Sequence, residues 1–229
     1  MHNPKIIIIF GPPGAGKDTQ AERIAKRFGL FQFITSSFIQ KELFNPAKKN
    51  DKIIKKQLKL YNSGKWNDPR WVLNLVKNNV KKLHKANRSI VFTASPRTMF
   101  EAKGMIPLLE SLYGKDSIRI LQISIKDRTS IFRITRRRFC ENCKHTLVYS
   151  PHNNKLKKCP KCGGKIITRA LDTKALTIKR LKEYKNRTLP VLKYLQKRGC
   201  SWTDIDGEPL PDEVTKQIFK KLEPLLKND

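Results

Sequence analysis

At 229 residues the chain is long enough for one well-buried core with a subdomain or two. No apolar run approaches bilayer-spanning length and no secretory leader precedes the first strand-sized run, so a soluble, cytoplasmic protein is expected. Its 49 Lys and Arg against 19 Asp and Glu give a formal charge of +30, which points either to a polyanion partner or to compositional drift of the kind AT-rich coding produces. The lysines lie along helix faces (Lys48, Lys49, Lys52, Lys55, Lys56, Lys59) rather than between exposed aromatics. That placement favours drift over a dedicated nucleic-acid surface. The charge still steers small anionic substrates inward.

Lys5 to Phe10 reads as a buried strand, continuous and β-branched, ended by Gly-Pro-Pro-Gly. Lys17 to Phe28 carries helical spacing, with Gly29 as a stop. Asp68-Pro69 opens a helix running to about Ala86. Ser89 to Thr93 is a second strand, followed by a helix from about Thr98. Ile118 to Ile125 is a third strand, and Asp127 begins a helix ending near Arg138. Beyond a cysteine-rich segment, Asp172 is expected to cap one long helix reaching about Lys197. Trp202 to Ile205 is the last strand and Pro211 to Leu225 the closing helix. Strands alternating with helices predict an α/β fold, a parallel sheet covered on both faces.

Gly11-Pro-Pro-Gly-Ala-Gly16-Lys17 satisfies the G-x-x-x-x-G-K pattern of a phosphate-binding loop, in the required setting of strand, loop and helix. Its glycines let backbone N–H groups converge on phosphate oxygens, the helix N-terminus adds positive potential, and Lys17 neutralises the β/γ end. The pattern then departs, because Asp18 stands where Ser or Thr is expected, with Thr19 next. Cys140-x-x-Cys143 and Cys159-x-x-Cys162 are fifteen residues apart, the spacing of a four-thiolate zinc site. Four protein ligands leave no open coordination position, so such a metal is structural. Cys200 is unpaired and reads as a packing residue. Arg97, Arg133, Arg137, Arg169 and Arg180 lie at strand ends and on helices flanking the cysteine segment, where a phosphate clamp would be built.

The loop, Ser95-Pro-Arg-Thr98 and the four-cysteine insert resemble, in that order, the adenylate kinase family in its zinc-containing-lid form. The likeness runs from about residue 5 to 225. Ser63 to Asp68 looks like the family's monophosphate-site loop, and Thr168-Arg169 with Arg180-Leu-Lys-Glu-Tyr184 like its lid exit and following helix. Ile205-Asp206-Gly207 resembles its adenine-side strand and turn. The resemblance implies a P-loop kinase core (1–34, 68–135 and 173–229), a small helical NMP-binding subdomain (35–67) and a zinc-ribbon-like lid (136–172). It implies a monomer that transfers a phosphoryl group between ATP and a nucleoside monophosphate, with Mg2+ and a structural Zn2+. Gly14, Ala15, Gly16, Lys17, Asp18 and Thr19 would hold the triphosphate. Arg133, Arg137 and Pro209 would meet the donor nucleotide, and Arg97, Arg169 and Arg180 would clamp the transferring phosphates. Ser36, Lys41, Lys65, Trp66, Asn67, Ala94, Ser95, Pro96 and Glu101 would line the acceptor site with Arg97. An acceptor that is already an anionic phosphate oxygen needs no general base, so positioning and charge neutralisation suffice.

Three departures from the family pattern bear on specificity. Where the family has Thr-Gly-Asp followed three residues later by arginine, this chain has Ser36-Ser-Phe38-Ile-Gln-Lys41, and lysine lacks the planar fork. Asp-Gly-Phe-Pro-Arg is replaced by Thr93-Ala-Ser-Pro-Arg97, which removes the aspartate that steers magnesium-bound water. The glutamine that reads the adenine edge is matched by Glu101. An ionised carboxylate only accepts, which suits guanine N1–H and N2–H2 better than adenine. AMP is the expected acceptor, with GMP as the alternative. A third reading is a catalytically degenerate protein that binds nucleic acid through its charge. Asp18 is expected to take over the magnesium role from position 93; a mere favourable contact with the helix N-terminus is the competing explanation.

Overall fold

The computed structural model describes residues 5–63, 67–93, 95–143, 145–149 and 151–226. Strand β1 (Ile6–Phe10) is apolar throughout and wholly buried. Helix α1 (Lys17–Phe28) ends where Gly29 turns left-handed at φ 70° and its N–H donates to the Ala25 carbonyl. Strand β2 (Phe31–Phe33) leads into helices α2 (Thr35–Leu43) and α3 (Lys52–Asn62). Asp51 caps α3 and Asp68 caps α4 (Pro69–Lys85), each carboxylate accepting from two backbone N–H groups. Then β3 (Ile90–Thr93), α5 (Met99–Tyr113), β4 (Ile118–Ser124) and α6 (Asp127–Thr135) alternate. Strands β5 (Arg138–Cys140), β6 (Thr146–Leu147) and β7 (Ile166–Ile167) form a small antiparallel sheet, with α7 (Pro151–Lys155) between the last two. Helices α8 (Lys174–Glu183) and α9 (Leu189–Lys197), strand β8 (Ser201–Asp206) and helix α10 (Pro211–Leu226) complete the chain.

The large sheet is parallel throughout, in the order β2-β3-β1-β4-β8. Alternation along β1 separates two cores. Ile6, Ile8 and Phe10 pack with Leu73, Val76 and Val80 of α4, Met105, Ile106 and Leu109 of α5, and Val191 and Leu195 of α9. Ile7 and Ile9 pack with Ile24 of α1 and Val214, Ile218 and Leu222 of α10. Every β1 side chain is therefore buried, which is why that strand shows no polar face. The chain leaves β1 toward β2 on one side and later reaches β4 on the other. The switch point thus falls at the C-terminal end of β1, where ligands bind in such sheets. No helix among the described residues is long and apolar enough to cross a membrane.

Three expectations are corrected. Helix α6 stops at Thr135 rather than near Arg138, because Arg138 pairs with Leu147 as the first residue of β5. The helix after the cysteine segment is capped by the hydroxyl of Thr173, which accepts from the Leu176 N–H, and not by Asp172. That helix is also not continuous. Residues 184–188 widen into a π-turn just ahead of Pro190, whose missing N–H cannot serve the regular ladder.

Candidate active site

The loop from β1 to α1 is shaped by contacts that only glycine permits. Gly11 approaches the Ile123 backbone so closely that a Cβ would lie 2.5 Å from its carbonyl oxygen. Gly14 has φ +78°, and a Cβ there would meet Ser130 O and Ile134 at 3.2 Å. Ser130 Oγ also donates to the Pro13 carbonyl at 2.6 Å, so α6 braces the loop from behind. Gly16 is left-handed at the N-cap of α1, with Ala15 buried before it, so the first N–H groups of the helix face the loop mouth. Lys17 Nζ donates to the carbonyls of Gly11 and Pro12, both at 2.8 Å. Burial pulls its pKa from 10.5 down to about 8; Asp18 opposes this, while Arg97 and Arg137 add to it. Asp18 itself is exposed in the first turn of α1, and Thr19 follows it half-buried.

Four arginines gather around that mouth. The buried Asp172 carboxylate accepts from Arg137 Nε at 3.1 Å and Nη2 at 3.0 Å, and from Arg180 Nη1 at 3.3 Å. Arg169 lies 3.9 Å and Arg137 4.8 Å from the ring centroid of Phe139. The pKa of Arg169 is lowered, first by burial, then by Arg137 and Arg180, with Asp172 and Asp18 opposing. Lys17, Asp18, Arg97, Arg137, Arg169 and Arg180 therefore share one electrostatic neighbourhood. Arg133 is directed elsewhere. Its Nη2 donates to the carbonyls of Glu208 at 2.8 Å and Pro209 at 3.2 Å, and Glu208 is held in turn by the Lys126 N–H and Thr129.

Of the residues expected to line an acceptor site, Ser36 and Lys41 are exposed on α2. Asn67 Nδ2 donates to both the backbone and side-chain oxygens of buried Gln57, tying α3 to the start of α4. Ser95 and Pro96 are buried beside the end of β3, and Arg97 is exposed. Glu101 Oε2 accepts from the Arg97 N–H at 2.6 Å, while Thr98 Oγ1 accepts from the Glu101 N–H, so Glu101 belongs to the N-terminal cap of α5. Lys65, Trp66 and Ala94 lie outside the described residues. The feature missed from sequence is Thr35. Its Oγ1, on the first residue of α2, is the only buried side-chain polar atom among the described residues without a hydrogen-bond partner. Such an orphan is the kind of group a ligand satisfies.

Beyond the clamp, the four sulfurs of Cys140, Cys143, Cys159 and Cys162 lie within 4.8 Å of one another. The pairs Cys140–Cys162 and Cys143–Cys159 are 3.4 and 3.7 Å apart, near the roughly 3.8 Å that tetrahedral zinc with bonds of about 2.3 Å requires. Gly163 turns left-handed at φ +69°, and a Cβ on Gly164 would reach within 3.0 Å of Cys140 Sγ. The donor set thus fits a closed, structural ion. Chelation is expected to lower Tm by roughly 5–10 °C, because metal binding energy is folding energy for a sheet this small. Superimposable melting curves with and without chelator would rule out a structural metal here. Lys161, between the last two cysteines, lies 3.6 Å from Glu22 of α1, so the knuckle rests against the core.

A glycine loop at the switch point, a basic clamp facing it and a four-cysteine flap define a P-loop phosphotransferase acting on nucleotides. Residues 9–200 match the family model described as adenylate kinase. Proteins named adenylate kinase from Archaeoglobus fulgidus, Elusimicrobium minutum and Kosmotoga olearia are 29%, 31% and 32% identical to the chain. The alignments cover 95%, 94% and 96% of it and 97%, 97% and 99% of those proteins. The chain belongs to the adenylate kinase family, in its four-cysteine-lid form.

Proposed function

We propose that the chain transfers the γ-phosphoryl group of ATP reversibly to AMP, giving two ADP, with Mg2+ on the donor phosphates. The observation that carries this reading is the convergence of Lys17, Arg97, Arg137, Arg169 and Arg180 on one loop mouth, more cations than binding alone requires. An AMP phosphate oxygen attacks the γ-phosphorus in line, the bond to the β-bridging oxygen breaks, and ADP leaves with that electron pair. The backbone of residues 14–19 and Lys17 hold the donor phosphates. Arg133 and the Pro209 carbonyl flank its base, and the remaining arginines neutralise charge as it moves between oxygens. Residues 35–67 form the acceptor subdomain, where Ser36, Lys41, Lys65, Trp66 and Asn67 are joined by the Thr35 hydroxyl. Residues 136–172 form the lid that excludes water, the competing acceptor, and zinc in the four thiolates stiffens it. The protein acts as a monomer in the cytoplasm.

A coupled phosphotransfer assay over AMP, GMP, CMP and UMP, with and without Mg2+, tests this. AMP is expected to turn over fastest. GMP outrunning AMP would show that the second Glu101 oxygen reads the base, and no turnover on any of the four would sink the kinase reading.

Asp18 is the carboxylate we assign to magnesium. It is exposed at the loop mouth within electrostatic reach of Lys17 and Arg169, and hard oxygen donors suit that ion. Asp18→Ala is expected to lower turnover at least about tenfold and to shift its Mg2+ dependence. Wild-type rates at every Mg2+ concentration would return the role to another group.

A further inference from the structure

The chemistry above uses only a fraction of the positive charge. Helix α6 shows where some of the rest is organised. Ser130 and Ile134 face the glycine loop, whereas Arg128, Ile131, Phe132, Thr135 and Arg136 line, with Lys174, an open cavity of about 520 Å3 on the far side. Phe132 keeps 43% of its surface exposed there. The Arg136 guanidinium sits 4.2 Å from the Phe132 ring centroid and 5.9 Å from that of Tyr149. The two rings meet edge to face at 5.2 Å. The lysine-rich helix faces lack interleaved aromatics, but here the fold brings a ring from the lid segment onto one from α6, with an arginine against both.

The cations of this face are not spent on neighbours. Among the described residues Arg128, Arg136 and Lys174 form no ion pair. Nearby carboxylates are engaged elsewhere, Asp127 with Lys185, Asp172 with Arg137 and Arg180, and Glu183 with Arg187. Arg136 adjoins Arg138, Leu147, Tyr149 and Asn153 of the lid segment, where the Arg138 guanidinium is taken up by the carbonyls of Asn153, Asn154 and Leu156. Residues 136–172 carry ten Lys and Arg against two acids, Glu141 and Asp172.

We propose that this face binds single-stranded nucleic acid, with bases stacking on the Phe132–Arg136–Tyr149 group and phosphates following Arg128, Lys174 and the lid lysines. Stacked rings and a guanidinium plane take up unpaired bases of any sequence, and a cavity of this size admits one or two of them. A duplex offers no free base faces to such a platform, and an acidic peptide would use the charge but leave the rings unused.

The test is fluorescence anisotropy with labelled single strands of about 20 nucleotides, oligo(U) and oligo(dT), and a duplex of equal length, at salt from about 50 to 200 mM. Either single strand is expected to bind more tightly than the duplex. Phe132→Leu keeps an apolar side chain but removes the stacking face, and should weaken binding roughly tenfold. Arg128→Gln with Lys174→Gln should reduce the slope of log affinity against log salt by about 1.4, at roughly 0.7 per phosphate contact. Phosphotransfer by these variants reports that they fold. Lys55→Gln with Lys59→Gln on α3 removes equal charge away from the platform. The proposal fails if that pair weakens binding as much as Arg128 with Lys174, or if Phe132→Leu binds like wild type. It also fails if the duplex or polyglutamate binds as well as the single strands.

Discussion

Lys17→Met is expected to cut kcat by about 10³ while leaving the fold in place. Lys17 is the only cation placed inside the loop, its Nζ held by two loop carbonyls, so no neighbour can take over. The cost to stability is small because two effects oppose each other. Methionine loses two hydrogen bonds of about 1 kcal/mol each, yet relieves the desolvation that depresses the lysine pKa. Tm should therefore move by no more than about 5 °C. A Lys17→Met protein that melts like wild type but turns over at more than about a tenth of its rate would remove Lys17 from the mechanism.

The same lysine makes donor binding pH-dependent. With its pKa near 8 in the folded chain against 10.5 ordinarily, the folded state holds fewer protons than the unfolded state between those values. Folding stability gains from this group as pH rises through that window. Triphosphate binding, which needs the ammonium, responds in the opposite sense. KM for ATP should rise as pH passes about 8, with proton uptake on binding visible by calorimetry in two buffers of different ionisation enthalpy. Unchanged KM from pH 7 to 10 would show that Lys17 stays charged without nucleotide.

What could be read from sequence is what is local in sequence. The glycine loop and both cysteine pairs announce themselves because each motif spans a few residues, and β1 because its burial needs no alternation. The role of Asp172 is hidden because its partners are remote. It precedes Thr173, an equally good cap, and nothing nearby shows that its carboxylate reaches Arg137, 35 residues upstream. Arg133 presents the same difficulty, since its carbonyl partners lie 75 and 76 residues away. The segment we assign to the acceptor, residues 35–67, is faint for another reason. Helices α2 and α3 bury only Leu43, Ile54 and the polar Gln57 while Phe44 and Ile53 stay exposed, so burial there does not follow the apolar residues. Thr35, one residue before the stretch singled out, stands apart only once the burial of its hydroxyl is known.

Asp172→Asn is expected to lower kcat/KM for ATP by about 10² and Tm by roughly 4–8 °C. The substitution keeps the shape but removes the charge, and points an amide donor at guanidinium groups that only donate. Arg137 and Arg180 would then face each other, Arg169 and Lys17 with no buried carboxylate between them. A side chain 4% exposed holding two partly exposed arginines contributes about 2 kcal/mol, below a fully buried pair because solvent screens the outer faces. The rate loss exceeds what that destabilisation explains, since a folded majority survives at 25 °C. It reflects arginines that no longer wait in transfer geometry. If Asp172 merely competed with phosphate for the same guanidinium groups, the variant would bind ATP more tightly and keep kcat. A lower KM with unchanged kcat would therefore replace positioning by competition.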